Sequence, residues 1–220
     1  MLRALETLER RQGLVFEVEF ARHPFFLRPN WNVEEWLETL DLPADATKAD
    51  VAKKTGRDHG GIRKLFRECG LEPDWEKASG PGSGFSDTLD SHRLAWYAAT
   101  LGKGEDVWDT LSKRYFEGKP EPMVLGSHEQ LLEVASVCGL DVAEARQVLQ
   151  SGQYKEEVKA DDRQMRLKGI EGIPVMFFDV VGTGRDDPLR GALPHVRTDG
   201  SRSENEFCTV FEQLHQATAA

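Results

Sequence analysis

The three cysteines, Cys69, Cys138 and Cys208, are scattered along the chain, with neither a Cys-x-x-Cys pair nor zinc-type spacing. An odd number excludes a complete disulfide framework. Each therefore reads as a buried or half-buried thiol in a reducing compartment, and the expected location is the cytoplasm. The six histidines form no His-x-His or His-x-x-x-His pair, so no metal site is expected. No apolar run approaches the ~20 residues that cross a bilayer, and the N-terminus lacks a secretory apolar region. Positive charge is in short supply: 28 Lys and Arg stand against 38 Asp and Glu, a formal net charge of −10. That balance argues against nucleic acid as the main partner. The Gly-rich stretch Ser79–Gly84 lacks the Gly-x-x-x-x-Gly-Lys pattern of a phosphate loop, so it reads as a joint and no nucleotide is expected.

What remains is a chain of 220 residues, 39% hydrophobic and 30% charged. It suits a globular protein with a highly charged surface. Its most informative stretch runs from Gly169 to Asp179, Gly-Ile-Glu-Gly-Ile-Pro-Val-Met-Phe-Phe-Asp. A glycine-rich turn leads through Ile173-Pro174 into a dense apolar strand. Proline lacks a backbone donor, so it belongs at the mouth of a strand. The residue before it is held extended, so Ile173 runs in line with that strand. A trans Ile173-Pro174 bond is the default, since only ~5–6% of such bonds are cis. A cis bond would present the Ile173 backbone to an extended partner.

Along the chain, Leu2, Leu5 and Leu8 predict a helix over 2–12, with Gly13 as its stop. Leu14–Phe20 is rich in β-formers and reads as a strand. Val33–Leu40 reads as a short helix. Further helices carry Leu89, Leu94, Trp96 and Tyr97, then Val107, Trp108, Leu111 and Tyr115. Ser127 with Gln130, and Asp141 with Glu144, begin two more, which end near Gly139 and Gly152. A charged helix over Tyr154–Lys168 delivers the chain to Gly169. After Asp179, residues 182–188 form a hairpin-like loop, Leu189–Leu193 the returning strand, then a polar loop. Phe207, Val210, Phe211 and Leu214 mark a closing amphipathic helix. The order is helix, strand, long helical insertion, strand, hairpin strand, helix.

Residues 46–71 carry a second pattern. Two short amphipathic helices around Gly56, with seven Lys/Arg between Lys48 and Arg67 against Asp50 and Asp58, look like the helix-turn-helix of DNA readers, and DNA binding through 46–71 is the lesser alternative. Such helix pairs are common in any helical region, and two connected helices on a solvated surface is the favoured reading.

This order, with Gly169–Pro174 ahead of a strand, resembles the DsbA-like branch of the thioredoxin superfamily. The match is nearest to the FrnE-like subgroup, which is related to the 2-hydroxychromene-2-carboxylate isomerases and kappa-class glutathione transferases. Asp87-Thr-Leu-Asp-Ser-His-Arg-Leu94 is similar to that subgroup's Asn-Thr-Leu-Asp-Ala-His-Arg-Leu. Gly139-Leu-Asp141, Gly152 with Tyr154, and Gly191-Ala192 after Arg190 fall where it has its turns and its last strand.

The resemblance implies an α/β fold: a thioredoxin-like sheet from residues 1–30 and 169–220, with a helical insertion over 31–168. It implies thiol–disulfide exchange as the activity and a thiol- or disulfide-bearing protein, or a small thiol, as the partner. Pro174 would face the redox pair and Ile173 would offer its backbone to the substrate. For His92, lining the substrate cleft and a helix histidine bonded within the insertion remain two open readings. No residue takes a catalytic role, because family members place a first strand and a Cys-x-x-Cys where this chain opens inside a helix. The missing strand would lie between Leu14–Phe20 and Val175–Asp179. Leaving its neighbours' ladder groups unpaired costs ~1–3 kcal/mol for each buried group, against a net stability of ~5–15 kcal/mol. We therefore expect a start that falls short of the true one; strands that close up, or a partner that supplies the strand, are the alternatives. A non-catalytic binding or scaffold protein is the alternative function. In the isomerase and transferase relatives a serine in the same missing region works with glutathione, and this sequence does not separate that chemistry from exchange.

Overall fold

Helix α1, Leu2–Gln12, forms because its small and apolar residues recur at helical spacing, burying Ala4 and Leu8. Gly13 stops it at φ 68°, where its amide donates to Glu9 O at 2.9 Å, a left-handed cap that glycine adopts without a Cβ penalty. The computed structural model describes residues 1–29, 31–56, 64, 66, 67, 86–180 and 196–218. The chain divides into two compact units, Met1–Phe25 with Asp162–Ala220, and Phe26–Asp161.

In the first unit α1 packs against the closing helix, Glu204–Thr218. Thr7 Oγ1, almost fully buried, donates to Glu204 Oε1 at 2.8 Å, and Gln12 Nε2 to Glu212 Oε1 at 2.6 Å. The two helices therefore lie against each other, joined near both ends of α1. Ser203 opens the closing helix by a reciprocal cap with Glu206: Glu206 N donates to Ser203 Oγ, and Ser203 N to Glu206 Oε2. Leu8, Phe178, Phe207, Val210, Phe211 and Leu214 fill the core between. Burying each such side chain contributes roughly 1.5–3 kcal/mol.

Among the described residues the sheet has two strands, β1 (Val175–Phe178) and β2 (Val196–Asp199), paired antiparallel with Val175 opposite Asp199 and Phe178 opposite Val196. Two expectations change here. The partner of β1 is 196–199, in the predicted polar loop; the predicted return strand Leu189–Leu193 lies outside the described residues. The reason is alternation. Thr198 is buried and Val196 packs on the core, while Arg197 and Asp199 point outward and pair with each other at 2.7 Å. Period two is present, hidden by the charges.

The second change concerns Leu14–Phe20, which forms no ladder among the described residues. Its burial still alternates: Leu14, Phe16 and Val18 are half-buried, while Val15, Glu17 and Glu19 are exposed. The local pattern of a strand is there. What is missing, among the described residues, is a neighbour to bond with.

Among the described residues of the second unit the helices are α2 (Val33–Thr39), α3 (Lys48–Thr55), α4 (Leu89–Thr100), α5 (Gly104–Ser112, continued by a π turn at Lys113–Glu117), α6 (His128–Val137) and α7 (Val142–Gln150). Helix α8, Lys155–Leu167, leads from this unit into the first, and Glu204–Thr218 is α9. Ser127 and Asp141 cap α6 and α7 as their sequence predicts, Ser127 Oγ accepting from Gln130 N and Asp141 Oδ1 from Ala143 N and Glu144 N. Leu94, Val107, Leu131, Val134 and Val148 form the main core. Leu37, Ala46 and Val51 form a smaller one under α2 and α3. Of the predicted helix-turn-helix, α3, its Thr47–Asp50 capping box and Gly56 are described. The second helix is described only at Lys64, Phe66 and Arg67. Among the described residues no helix is long and apolar enough to cross a membrane.

Candidate functional site

Helix α8 ends as Gly169 turns to φ 73°, and the buried Ile170 pins the chain beneath it. Gly172 then leads to Ile173-Pro174, whose peptide bond is cis; the default trans expectation does not hold. Pro174 is exposed, and Ile173 is 56% exposed. The carbonyl of Pro174 accepts from Gly200 N at 2.8 Å, directly beyond the last pair of the ladder.

That bond sets the parity of the sheet. In an antiparallel pair, hydrogen-bonded and non-bonded residues alternate. With Pro174 bonded to Gly200, Met176 and Phe178 also direct their backbone groups at β2. The N–H and C=O of Val175 and Phe177 therefore point to the opposite edge. Neither these two residues nor Ile173 has a backbone hydrogen-bond partner on that side among the described residues. Pattern reading from the sequence passed over Val175 and Phe177. The parity that exposes them depends on which residue sits opposite Pro174.

Two arginines of this unit make charged contacts on α8 and β2. Arg166 grips Asp162 through Nε and a terminal nitrogen, at 2.9 and 3.1 Å, and lies over the Phe25 ring at 4.3 Å. Arg197 lies over Phe177 at 5.7 Å, bonds Asp199 and reaches the Lys168 carbonyl at 3.5 Å. The hydrogen bond from Arg197 holds the Asp199 carboxyl below the usual carboxylate range.

His92 belongs to the helical unit. Its ring stands edge-on between Phe26, at 5.1 Å, and Trp108, at 5.3 Å. Its neighbours in the Asp87–Leu94 stretch have structural work. Asp87 Oδ1 accepts from Leu89 N at 3.0 Å. Asp90 holds Arg93 at 2.7 Å and His128 at 2.6 Å. Arg93, 3% exposed, donates to the carbonyls of Val148, Leu149, Ser151 and Gln153. It thus satisfies the last carbonyls of α7, which have no partner inside the helix. Nothing in the sequence marked Arg93 as the anchor, because its acceptors lie more than fifty positions away. Beside it, Ser86, Asp87, Leu89, Asp90, Val124, Gly126 and Ser127 line a cleft of about 370 Å³.

The described thiols are single. Cys138 Sγ lies 3.4 Å from Thr110 Oγ1 in the helical unit, and Cys208 Sγ lies 3.7 Å from the Ala4 carbonyl in the other. Cys69 is outside the described residues.

A search of the curated proteins finds no match. Among solved structures, the chain is similar to the crystal structure of a probable DsbA oxidoreductase from Streptomyces coelicolor. The TM-score is 0.66 at 21% identity, over 98% of this chain and 81% of that one. At that identity the likeness carries the fold: a thioredoxin-like DsbA architecture with a helical insertion, mostly helical around a small sheet. The family model of the DSBA-like thioredoxin domain matches residues 2–193, from the first residue of α1, through the helical unit, to beyond β1. With the proline loop, strand and closing helix arranged as described, the chain belongs to the DSBA-like thioredoxin domain family.

Proposed function

We propose that this protein serves thiol–disulfide exchange by holding a thiol- or disulfide-bearing polypeptide against the Ile173–Pro174 loop. The observation that carries this reading is the Ile173 backbone, exposed and unpaired among the described residues, at the mouth of β1. An extended partner bonds such a backbone without regard to its side chains, which suits a site that receives many cysteine-bearing segments. Exchange itself needs a thiolate to attack a disulfide sulfur through a mixed disulfide. The sequence holds no Cys-x-x-Cys, so these 220 residues supply the binding surface and not the reacting pair.

A second reading, binding without exchange, is favoured by the positions of Cys138 and Cys208. They are half-buried, in separate units, and each contacts a neighbouring oxygen. The two readings share the loop and differ in chemistry. An odd number of cysteines without a Cys-x-x-Cys pair also favours a reducing compartment such as the cytoplasm for either.

The test uses the purified chain, a fluorescent cysteine-containing peptide, and reduction of insulin disulfides by dithiothreitol as a separate assay. Peptide binding is expected, weakened roughly tenfold (about 1.4 kcal/mol) by Ile173→Asp, with insulin reduced no faster than by dithiothreitol alone. Accelerated reduction would show a reacting thiol within these residues and sink the second reading. Absence of peptide binding would sink both.

A further inference from the structure

The turn at the end of β2 carries chemistry that the proline loop does not use. Asp199-Gly200 is the single Asp-Gly step in the sequence, which has no Asn-Gly. We propose that Asp199-Gly200 is a site of spontaneous backbone isomerisation, held closed in the folded protein by Arg197 and by the bond to Pro174. This goes beyond the thiol reading and does not rest on it.

The reaction follows from the bonds present. The Gly200 nitrogen attacks the side-chain carboxyl carbon of Asp199 in its neutral acid form. A new N–C bond closes a succinimide ring, and the carboxyl OH leaves with the amide hydrogen as water. Water then adds to either ring carbonyl and breaks its bond to nitrogen. Opening at the side-chain carbonyl restores aspartate. Opening at the main-chain carbonyl leaves the chain running through the side-chain carbon, as isoaspartate. Water is the only co-reactant. Glycine at 200 eases the attack, because no Cβ crowds its nitrogen. The Asp199 side chain is 60% exposed, so water reaches the ring.

Three features of the fold oppose this. Asp199 is the last residue of β2, opposite Val175. Ring closure needs the Gly200 nitrogen eclipsed with Asp199 Cβ, and strand backbone, with ψ roughly +135°, turns that nitrogen away. The Gly200 amide also donates to the Pro174 carbonyl at 2.8 Å, a bond that must break before the nitrogen can swing. Arg197 stands two positions back, on the same face of β2. It donates to the Asp199 carboxylate through Nε, at 3.1 and 3.2 Å, and through a terminal nitrogen at 2.7 Å. That grip favours the ionised acid, whose oxygen does not leave. Isomerisation inserts a methylene into the backbone ahead of Gly200. The Gly200 amide then no longer lies opposite Pro174, so the strand pair that seats the proline loop is loosened.

The experiment incubates the full chain at neutral pH, folded and in urea, beside the free peptide Thr198–Arg202, which trypsin also releases from the chain. Electron-transfer mass spectrometry separates isoaspartate from aspartate in that peptide. Isoaspartate is expected to accumulate at least roughly tenfold faster in urea than in the folded chain, where reaction waits on local opening. Arg197→Gln, folded by far-UV circular dichroism, is expected to react several-fold faster than the folded parent and at the parent's rate in urea. Arg197→Lys, which keeps a cation beside the carboxylate, is expected to fall between them. Equal rates in the folded chain and in urea overturn the closure by the fold. A free peptide that forms no isoaspartate overturns the site itself. A folded Arg197→Gln chain that reacts at the parent's rate overturns the part given to Arg197.

Discussion

Gly200 donates its amide to the carbonyl of Pro174 at 2.8 Å, and this single bond decides which backbone groups of β1 face β2 and which face outward. It depends on Gly200 holding φ 81°, a left-handed conformation that a side chain resists by roughly 1–2 kcal/mol.

Gly200→Ala is therefore expected to destabilise the protein by about 1 kcal/mol, through backbone conformation alone, since no atom lies within 4 Å of an added Cβ. Gly172→Ala is the control. It too meets nothing within 4 Å and lies outside the left-handed region, so its unfolding midpoint in urea should stay close to that of the parent.

Arg93→Met should be far more costly, roughly 3–5 kcal/mol, because it strands the buried end of α7 and removes one of the two partners of Asp90. Asp90→Asn should cost less, since Asp90 is partly exposed and Arg93 keeps its carbonyls. Urea unfolding followed by far-UV circular dichroism measures both. Equal losses would contradict the capping role of Arg93.

Tyr97 gives the stability a dependence on alkaline pH. Burial, then the hydrogen bond its hydroxyl donates to Glu144 at 2.6 Å, push its pKa from 10.0 up to about 12. The folded state keeps this proton longer than the unfolded state. The contribution is thus complete below pH 10 and is lost as pH rises toward about 12. Between those values the urea midpoint should fall more steeply for the parent than for Tyr97→Phe, which has no proton to lose. Parallel slopes would refute this assignment.

His92→Phe separates the two readings of that residue. Wedged between Phe26 and Trp108, the position should accept a phenyl ring at a cost below about 1.5 kcal/mol, with peptide binding unchanged. Weakened binding at unchanged stability would instead give His92 a place at the substrate.

Removing the Asp141 cap by Asp141→Ala should cost about 1 kcal/mol, since its carboxylate accepts from Ala143 N at 2.8 Å and Glu144 N at 3.0 Å. A thermal melt unchanged from the parent would show that the start of α7 is held by packing alone.

Features encoded within a few residues were legible in the sequence. Gly13, Ser127 and Asp141 mark helix ends because a cap bonds a backbone group no more than four positions away. Leu2, Leu5 and Leu8 mark α1 because helical spacing repeats over one turn. Pro174 marks the mouth of β1 because a proline restricts the residue beside it. What the sequence determined by itself, then, is the succession of helices and the proline loop ahead of a strand. Only the tertiary structure decided that Val196–Asp199 pairs with β1, that Leu14–Phe20 alternates without a ladder, and that Arg93 closes α7. It also decided that the backbone groups of Val175 and Phe177 point away from β2. Each of these depends on a partner, or on the lack of one, far along the chain, and a strand's bonding is a property of its neighbour as much as of its own residues.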